Sequence, residues 1–303
     1  MLISIITPSY NRASTLPRLF KSLEVQTNLS IEWIIVDDGS VDNTKEVVDG
    51  MVKGAPFPIK YFYKENGGMH TARNVGIREA MGQLVMLVDS DDALMPDAIE
   101  CGLVMWNSAG GKIDFIRGRY AGEDGKIVGK PFPEGFNTFP KKKKQRLARA
   151  NRGDCTIILK MELMKKHPFY EPKNVKFVLD SMLWNEMHAR YECLFTNHVF
   201  GINYHDQENQ LSRKGWQSKE VFNAYYLVYL DLFNRIFEID KTYSIYEKWM
   251  NMLKLLRAGI KIEKNLREIA CDIKKPSSKA AAIFNYIPMY IFLVMKHKVA
   301  KET

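Results

Sequence analysis

Residues Gln83–Pro96 read QLVMLVDSDDALMP, an apolar run that is followed by three aspartates within four positions. The run from Leu84 to Val88 is short, continuous and rich in branched side chains, which is typical of a strand buried on both faces of a parallel sheet. Proline is tolerated in a first helical turn, so a helix is predicted to begin near Pro96. The aspartates therefore follow the carboxyl end of a central strand, where open α/β sheets bind their ligands.

The three acids of this segment are Asp89, Asp91 and Asp92. Carboxylates so close in sequence repel one another, and a divalent cation with hard oxygen ligands relieves that repulsion. An Asp-x-Asp pair on its own is also common in solvated turns. The strand before it and the Met-Pro after it favour a metal site here.

The segments on either side alternate between strand and helix patterns. Strands are predicted at residues 2–7, 32–36, 59–63, 112–119, 155–160 and 194–203, and helices at residues 13–26, 69–81, 96–107 and 177–191. This alternation predicts an α/β fold with a mainly parallel sheet flanked by helices. From Ser218 the chain shows helical periodicity with few turn signals as far as Pro276, which predicts a C-terminal helical appendage.

The net charge of +9 is unevenly distributed along the 303 residues. Residues 1–100 carry nine Lys/Arg and fourteen Asp/Glu, a net charge of −5, so the remaining residues carry +14. We interpret the acidic part as a metal and nucleotide site and the basic part as a surface that meets an anionic partner. A hydrophobic content of 46% is ordinary for a globular protein and argues against disorder.

The four cysteines are far apart in the sequence and form no Cys-x-x-Cys pair. They predict reduced thiols in a cytoplasmic protein, and neither a zinc site nor a disulfide framework. The amino terminus shows no signal-peptide pattern, and no apolar run reaches the ~20 residues that a membrane-spanning helix needs. The four cysteines are Cys101, Cys155, Cys193 and Cys271.

Polar residues follow three of the predicted strands. They are Thr7-Pro8-Ser9-Tyr10, Asp37-Asp38 and Asp89-Ser90-Asp91, and they are expected to converge on one sheet edge. No Gly-x-Gly-x-x-Gly and no Gly-x-x-x-x-Gly-Lys-Ser/Thr is present, which argues against a dinucleotide oxidoreductase and a P-loop NTPase. A bound diphosphate would instead need a cation.

Four blocks in order resemble those of family 2 glycosyltransferases with the GT-A fold. They are Ser4–Arg12 (SIITPSYNR), Trp33–Ser40 (WIIVDDGS), Asn66-Gly67-Gly68 with Ala72–Gly76 (ARNVG), and Val88–Asp92 (VDSDD). The resemblance implies a Rossmann-like GT-A domain and an inverting transferase that uses a nucleotide-diphospho-sugar and manganese or magnesium. The likeness thins beyond Arg119 and does not visibly reach the chain after Arg213.

The resemblance also implies roles for individual side chains. Pro8 and Tyr10 would border the nucleobase, Asp38 would accept a hydrogen bond from it, and Asp89 would contact the ribose. Asp91 would bind the metal ion. The other residues expected to bind the nucleotide-sugar are Thr7, Arg12, Gly68, Arg73, Asn74 and Ser90.

Several of these positions have a structural alternative. The Tyr10 ring could simply pack at a strand end, and one of Asp37 and Asp38 could serve only as a turn or helix cap; we favour Asp38 as the residue that faces the ligand. Arg73 could hold the nucleotide, or it could pair with the aspartates.

An inverting transfer needs a base that takes the proton of the acceptor hydroxyl. Asp180 matches the family's carboxylate at a helix start, although a carboxylate there is also a good helix cap. The acidic residue that usually precedes it is Leu179 in this chain. Asp154, in Arg152-Gly153-Asp154, is the alternative base.

His205 follows the last predicted strand and is expected to complete the metal shell or to touch the diphosphate. A lone histidine is also often an ordinary surface group. An imidazole ligand would favour manganese over magnesium.

Two later segments suggest a membrane surface. The basic run Lys141–Arg152 is either a solvated helix face or a patch for anionic lipid headgroups. The apolar stretch 280–295 is interrupted by Asn285 and Pro288, so we expect it to lie in the membrane interface or to pack on the catalytic domain.

The sequence thus predicts a catalytic domain over residues 1–213, with a nucleotide-sugar half (1–119) and an acceptor half (120–213), and a helical tail over residues 214–303. The predicted function is transfer of a hexosyl or N-acetylhexosaminyl group, from a UDP-sugar by preference, to a hydroxyl of a growing glycan. A lipid-linked saccharide in O-antigen, capsule or exopolysaccharide synthesis is the expected acceptor.

The expected location is the cytoplasm, with peripheral contact at the inner face of an anionic membrane. The alternatives are a sugar-nucleotide-binding protein without transferase activity and a nucleic-acid-binding module. The second alternative is disfavoured, and no nucleic-acid partner is expected, because acids occupy the best-formed cleft.

Overall fold

The computed structural model describes residues 1–150, 154–204 and 218–302. The chain divides into two compact units, which we call the sheet unit and the helical unit. The sheet unit comprises Met1–Lys176 and Tyr191–Glu208, and the helical unit comprises Phe177–Arg190 and Asn209–Thr303. Phe177–Arg190, assigned from the sequence to the acceptor half, thus groups with the C-terminal helices. The predicted boundary at residue 213 stays a prediction, because it lies outside the described residues.

The described part of the chain contains eight strands, which form one sheet in the order β3-β2-β1-β4-β7-β6-β8-β5. Their bounds are β1 Ile3–Ser9, β2 Ile31–Asp37, β3 Ile59–Tyr63, β4 Leu84–Leu87, β5 Ala93–Leu94, β6 Phe115–Gly122, β7 Ile157–Lys160 and β8 Cys193–Asn203.

The first four strands along the chain form the parallel part of the sheet. β1 lies between β2 and β4 and is parallel to both, and β2 is parallel to β3. All seven residues of β1 and of β2 are buried, as expected for strands that helices cover on both faces. The parallel βαβ arrangement predicted from the sequence is therefore present.

The other half of the sheet is mixed. β7 is antiparallel to β4 and β6, and β8 is parallel to β6, while β5 is antiparallel to β8. The two-residue strand β5 was not predicted, because a segment so short has no periodicity to detect. β5 ends at Leu94, two residues before Pro96, and the helix that was expected to begin near Pro96 starts at Ala98.

In the described part of the sheet unit there are six α-helices and one 3-10 helix, Phe136–Thr138. The α-helices are α1 Leu16–Glu24, α2 Thr44–Val52, α3 Met69–Glu79, α4 Ala98–Ser108, α5 Lys141–Ala150 and α6 Met161–Lys166. The apolar faces of the helices and the sheet meet in one core, in which Trp33, Leu19 and Phe200 are nearly or fully buried.

The helical unit contains α7 Ser181–Arg190, α8 Lys219–Asp231, a π-helical turn Leu232–Ile236, α9 Phe237–Ile239, α10 Ile245–Lys261, α11 Leu266–Asp272 and α12 Pro276–Glu302. Its core includes Leu255, Ile269 and Ala282, so α12 packs against the other helices of this unit. α12 continues through Pro288. Among the described residues, no helix combines the length and apolar character that crossing a bilayer demands.

Candidate active site

The ends of β1, β2 and β4 lie side by side, as the sequence predicted. The Asp38 N–H donates to the Ser9 carbonyl at 2.7 Å, and the Val88 N–H donates to the Ile6 carbonyl at 3.1 Å. These bonds continue the parallel ladders beyond the strands, because each strand end is still paired with its neighbour. The polar segments that follow the three strands therefore begin at one edge of the sheet.

The two acids after β2 have different surroundings. Asp37 is 1% exposed, and its carboxylate accepts from the Ser40 N–H at 2.7 Å and from the Tyr61 hydroxyl at 2.6 Å. It therefore closes the turn after the strand and fixes a ring on β3. This agrees with the interpretation that one member of the Asp37-Asp38 pair is structural.

Asp38 supports the loop that precedes α3. Its Oδ1 accepts from Lys64 Nζ at 2.6 Å and from the Gly67 N–H at 2.9 Å, and its Oδ2 accepts from the Gly68 N–H at 2.7 Å. A carboxylate oxygen accepts about two hydrogen bonds, so Oδ2 can take another donor. The predicted nucleobase contact of Asp38 stays a prediction, and it is compatible with that geometry.

Gly68 is required for the shape of this loop. Its φ of 100° lies in the region that favours glycine, and a Cβ at this position would lie 2.0 Å from the Lys176 carbonyl oxygen. The structure thus assigns Gly68 a conformational role, through which its N–H reaches Asp38.

The turn after β4 concentrates carboxylates. The Asp92 N–H donates to the Asp89 carbonyl at 3.1 Å, which closes the turn. Asp89 is paired with Arg73 at 2.8 Å, and Asp91 lies 3.6 Å from Arg12. The Asp89 side chain is 47% exposed and the Asp91 side chain 15%, so both carboxylates are partly accessible to solvent.

Asp92 is the most deeply buried acid of this turn, with 3% of its surface exposed. Burial and the negative charges of Asp89, Asp91 and Asp154 together raise the pKa of Asp92 to about 9. Asn203 Nδ2 donates to Asp92 Oδ1 at 3.2 Å. The acids of the turn are therefore crowded enough to disfavour the charged form of Asp92.

This donor set fits a hard divalent cation. The oxygens are carboxylates, which Mg²⁺ and Mn²⁺ prefer, and the mutual repulsion of the acids would fall when a cation binds. Asp91 is the residue whose carboxylate is both partly exposed and placed in the centre of the turn. Its predicted role as a metal ligand stays a prediction that the local chemistry supports.

Other predicted site residues lie in the core. Thr7 is fully buried, and its hydroxyl accepts from Trp33 Nε1 at 2.9 Å. Pro8 is buried within β1, and Ser90 is 5% exposed. Tyr10, by contrast, is 48% exposed and could receive a planar ligand.

Arg73 and Asn74 on α3 were predicted to hold the nucleotide. Arg73 makes the alternative contact, the ion pair with Asp89. Asn74 Nδ2 donates to the Phe169 carbonyl at 2.8 Å and to Glu171 at 2.7 Å, and its Oδ1 accepts from the Phe169 N–H. The structure therefore places Asn74 as an anchor for the segment after α6.

The candidate bases lie in different units. Asp154 is an exposed residue of the sheet unit and contributes to the raised pKa of Asp92. Asp180 belongs to the helical unit and precedes α7, where its carbonyl accepts from the Trp184 N–H at 3.1 Å. His205, the second predicted metal ligand, lies outside the described residues. The roles of all three stay predictions.

Two basic residues that lie at this edge of the sheet were not predicted from the sequence. Lys64 pairs with Asp38, and Arg18 Nη2 donates to the Asp91 carbonyl at 2.5 Å while its guanidinium lies 3.7 Å from the centre of the Tyr204 ring. Lys64 directly follows β3, so its place at the strand end was a usable signal. Arg18 lies inside α1, and no local pattern distinguishes it from a surface arginine.

The family model described as Glycosyl transferase family 2 matches residues 4–166, more than half of the chain. The chain belongs to glycosyltransferase family 2. This confirms the family and the enzyme class predicted from the sequence. The matched region contains the ends of β1, β2 and β4.

Several curated relatives carry glycosyltransferase names. An uncharacterized glycosyltransferase of Rickettsia conorii is 32% identical over 192 residues, which is 60% of this chain and 29% of the relative. The chondroitin synthase of Pasteurella multocida is 39% identical over 99 residues, 33% of this chain and 10% of the synthase. The chain spans less than a third of the length of these relatives.

Solved structures of two other transferases share the fold. S. aureus TarS 1–349 in complex with UDP-GlcNAc gives a TM-score of 0.65 at 18% identity, covering 95% of this chain and 90% of that one. The mannosyltransferase PcManGT from Pyrobaculum calidifontis, in complex with GDP-Man and Mn²⁺, gives 0.56 at 17% identity, covering 97% and 84%. The predicted GT-A fold with C-terminal helices is confirmed.

Proposed function

We propose that this family 2 member is a metal-dependent, inverting glycosyltransferase that moves a sugar from a nucleotide-diphospho-sugar to a hydroxyl of a growing glycan. The observation that carries the proposal is the crowded carboxylate turn Asp89–Asp92 beside the ends of β1 and β2. A divalent ion bound there would neutralise the charge that develops on the departing diphosphate. Manganese or magnesium suits the oxygen donors.

The remaining groups of this edge have the chemistry that a nucleotide needs. The exposed Tyr10 ring offers a stacking surface for a base, and Asp38 Oδ2 has room for a base N–H. Asp89 would accept from ribose hydroxyls, while Arg12 would complement the negative charge of the phosphates. Uracil is our preferred base, since TarS, which has the same fold, was solved with UDP-GlcNAc.

Asp180 is the proposed general base. Its carboxylate would take the proton of the acceptor hydroxyl as that oxygen attacks the anomeric carbon from the face opposite the leaving group. The acceptor is proposed to be a saccharide, which the similarity to a chondroitin synthase supports.

The test is a donor screen with Mn²⁺ that follows release of the nucleoside diphosphate with and without acceptor saccharides. The expected result is acceptor-stimulated release from UDP-sugars. Asp180→Asn should lower turnover by ~10²- to 10⁴-fold with little change in donor affinity. The matched control is Asp124→Asn, since Asp124 is an exposed acid whose ion-pair partner, Lys126, is also exposed.

Two results would contradict the proposal. Donor binding without any release, with every donor and acceptor tried, would favour a sugar-nucleotide-binding protein. Equal loss of turnover in Asp124→Asn and Asp180→Asn would remove the special role of Asp180.

We further propose that the acceptor is lipid-linked and that the protein contacts an anionic membrane at the cytoplasmic face. In the sheet unit, α5 is a basic helix on which Lys141, Lys143 and Arg146 are exposed. In the helical unit, Trp249 is 46% exposed and Phe284 is 81% exposed. Basic residues and interfacial aromatics are the side chains that bind such surfaces.

Flotation with phosphatidylglycerol vesicles tests this contact. Deletion of α12 is unsuitable because Ala282 is fully buried in the core of the helical unit. We expect Phe284→Ser, or Lys143→Glu with Arg146→Glu, to reduce flotation, and the exposed Tyr63→Ser control to leave it unchanged. No flotation of the intact protein would overturn the proposed contact.

A further inference from the structure

Three side chains with different ligand atoms meet at the start of α4. Asp97, Cys101 and His198 place a carboxylate oxygen, a thiol sulfur and an imidazole nitrogen within 4.8 Å of one another. We propose that these residues form a transition-metal site, of zinc type, that is built from other side chains than the Asp89–Asp92 turn. The proposal is independent of the glycosyl-transfer function.

The sheet brings two of the three residues together. β5 and β8 are antiparallel, with Ala93 opposite Ile202 and Leu94 opposite Gly201. The ladder continues beyond β5, since the Met95 N–H donates to the Phe200 carbonyl at 2.8 Å. If the register between β5 and β8 is extended toward α4, Asp97 lies opposite His198.

The helix adds the third residue. Asp97 is the residue before α4, and Cys101 lies one turn later, with its N–H donating to the Asp97 carbonyl at 2.8 Å. Side chains four residues apart lie on the same helix face. Cys101 Sγ therefore approaches the Asp97 carboxylate from the helix while His198 approaches it from the sheet.

The separations match those of a tetrahedral zinc ion. Cys101 Sγ lies 3.4 Å from Asp97 Oδ2, and His198 Nε2 lies 3.6 Å from the same oxygen. With Zn–S of about 2.3 Å and Zn–N or Zn–O of about 2.0 Å, the edges of a tetrahedron are about 3.3 to 3.6 Å. The third pair, Cys101 Sγ and His198 Nε2, lies within 4.8 Å, and side-chain rotation can adjust that distance around one ion.

The histidine is held in position, and its nitrogen is available. The His198 ring packs edge-on against Phe200, with centroids 4.7 Å apart, and Phe200 is 1% exposed. His198 Nε2 is buried and has no hydrogen-bond partner within residues 1–150, 154–204 and 218–302. A buried polar atom in that state usually indicates a missing ligand or a functional role.

Asp97 is also not used for helix capping. Its side chain makes no capping hydrogen bond to α4, although aspartate is among the best residues for that purpose. The carboxylate is directed instead toward Cys101 and His198. Each of the three groups thus points to the same small volume.

The ligand chemistry favours zinc over the cation of the sugar-transfer site. A thiolate and an imidazole select zinc-like ions, whereas Mg²⁺ and Mn²⁺ prefer oxygen. Three protein ligands leave one coordination position for water or another small ligand. A bound ion would tie α4 to β8, two elements that are about a hundred residues apart in the chain.

The sequence argued against a zinc site among the cysteines, because no two of them form a Cys-x-x-Cys pair. A search for paired cysteines cannot detect a metal site that has one cysteine ligand and a histidine ligand on a strand far away in the sequence. The proposed site with Asp97 and His198 revises the prediction of no zinc site, and it does so for Cys101 only.

The test is zinc binding by the full-length, metal-free protein, measured by competition with a chromophoric chelator, and cobalt binding followed by absorption. We expect one zinc per chain and a sulfur-to-cobalt charge-transfer band, which requires a thiolate ligand. Cys101→Ser and His198→Gln should each weaken zinc binding by at least ~100-fold, since each removes a ligand. Cys271→Ser, at an exposed cysteine, is the control and should bind zinc as the parent does.

A second control separates the two metal sites. Asp91→Asn should retain zinc binding at Cys101, and excess Mg²⁺ should not displace the zinc. Unfolding of each metal-free variant is measured in parallel, so that loss of zinc is not confused with loss of fold. The proposal is overturned if the parent binds no zinc, or if folded Cys101→Ser and His198→Gln bind it with unchanged affinity.

Discussion

Buried carboxylates lie near both ends of the same parallel strands, and their surroundings are opposite. At the amino end, Glu32 on β2 is 1% exposed and accepts from Ser4 at 2.7 Å, from Lys60 at 2.9 Å and from the Met81 N–H at 2.6 Å. Burial alone would raise the pKa of Glu32, but the hydrogen bonds from Lys60, Ser4 and Met81 hold it below the usual value.

At the carboxyl end, Asp92 is buried among other acids. Burial and the charges of Asp89 and Asp91 together raise its pKa to about 9. Glu32 is thus stabilised as a charged group by its donors, whereas the charged form of Asp92 is disfavoured by burial and by neighbouring acids. The difference indicates that Glu32 serves the fold, whereas the crowded acids of the Asp89–Asp92 turn would be stabilised by a bound cation.

The largest effect is expected on sugar transfer when one acid of the Asp89–Asp92 turn is neutralised. Asp91→Asn should lower sugar transfer by ~10²- to 10³-fold, because the metal ion loses a charged ligand. Its unfolding free energy should change less than that of Glu32→Gln, since the lost attraction to Arg12 is offset by weaker repulsion between the carboxylates. Steady-state kinetics with Mn²⁺ and urea unfolding check both parts, and a variant that transfers sugar at the parent rate contradicts the assignment.

The opposite pattern is expected at the amino end of the strands. Glu32→Gln should reduce the unfolding free energy by ~3 kcal/mol, because Lys60 loses its buried partner and the donors around Oε1 face a weaker acceptor. Glu46→Gln, at an exposed acid on α2, is the control. Equal unfolding curves for the two variants would refute the structural role of Glu32.

The same residue predicts a pH dependence. The pKa of Glu32 is lower in the folded protein than its ordinary value of 4.5, so its stabilisation is present above that value and is lost as the pH falls through the folded pKa. The stability difference between the parent and Glu32→Gln should therefore shrink as the pH falls below 4.5. A difference that stays constant from pH 7 to the acid transition would show that charge is not involved.

The smallest effect is expected for Asp92→Asn. The amide oxygen can still accept from Asn203, and the change removes a carboxyl that its neighbours repel. The unfolding free energy should stay the same or rise by ~1 kcal/mol. A loss as large as that of Glu32→Gln would mean that the two ends of the sheet do not differ as described.

Much of the carboxyl edge could be predicted from the sequence, because strand ends and acidic turns are local patterns. The Asp37-Asp38 pair and the acids after β4 converge as expected. The partners of these acids could not be predicted. Lys64 lies 26 residues beyond Asp38, and Asn74 anchors Phe169 across 95 residues.

The mixed half of the sheet was less predictable for the same reason. β7 is four residues long, and its place between β4 and β6 depends on pairings that no local pattern records. β5 has two residues and no signal at all, yet its pairing with β8 carries the register to Asp97 and His198. Sequence reasoning detects elements, while tertiary pairing decides which side chains meet.

The central claim is that the Asp89–Asp92 turn binds the nucleotide-sugar through a divalent ion. Calorimetric titration of a UDP-sugar into chelator-treated protein, with and without added Mn²⁺, tests it most directly. The account predicts binding only with Mn²⁺, and loss of that binding in Asp91→Asn but not in Asp124→Asn. Equally tight binding by the chelator-treated protein, or by Asp91→Asn, would contradict it.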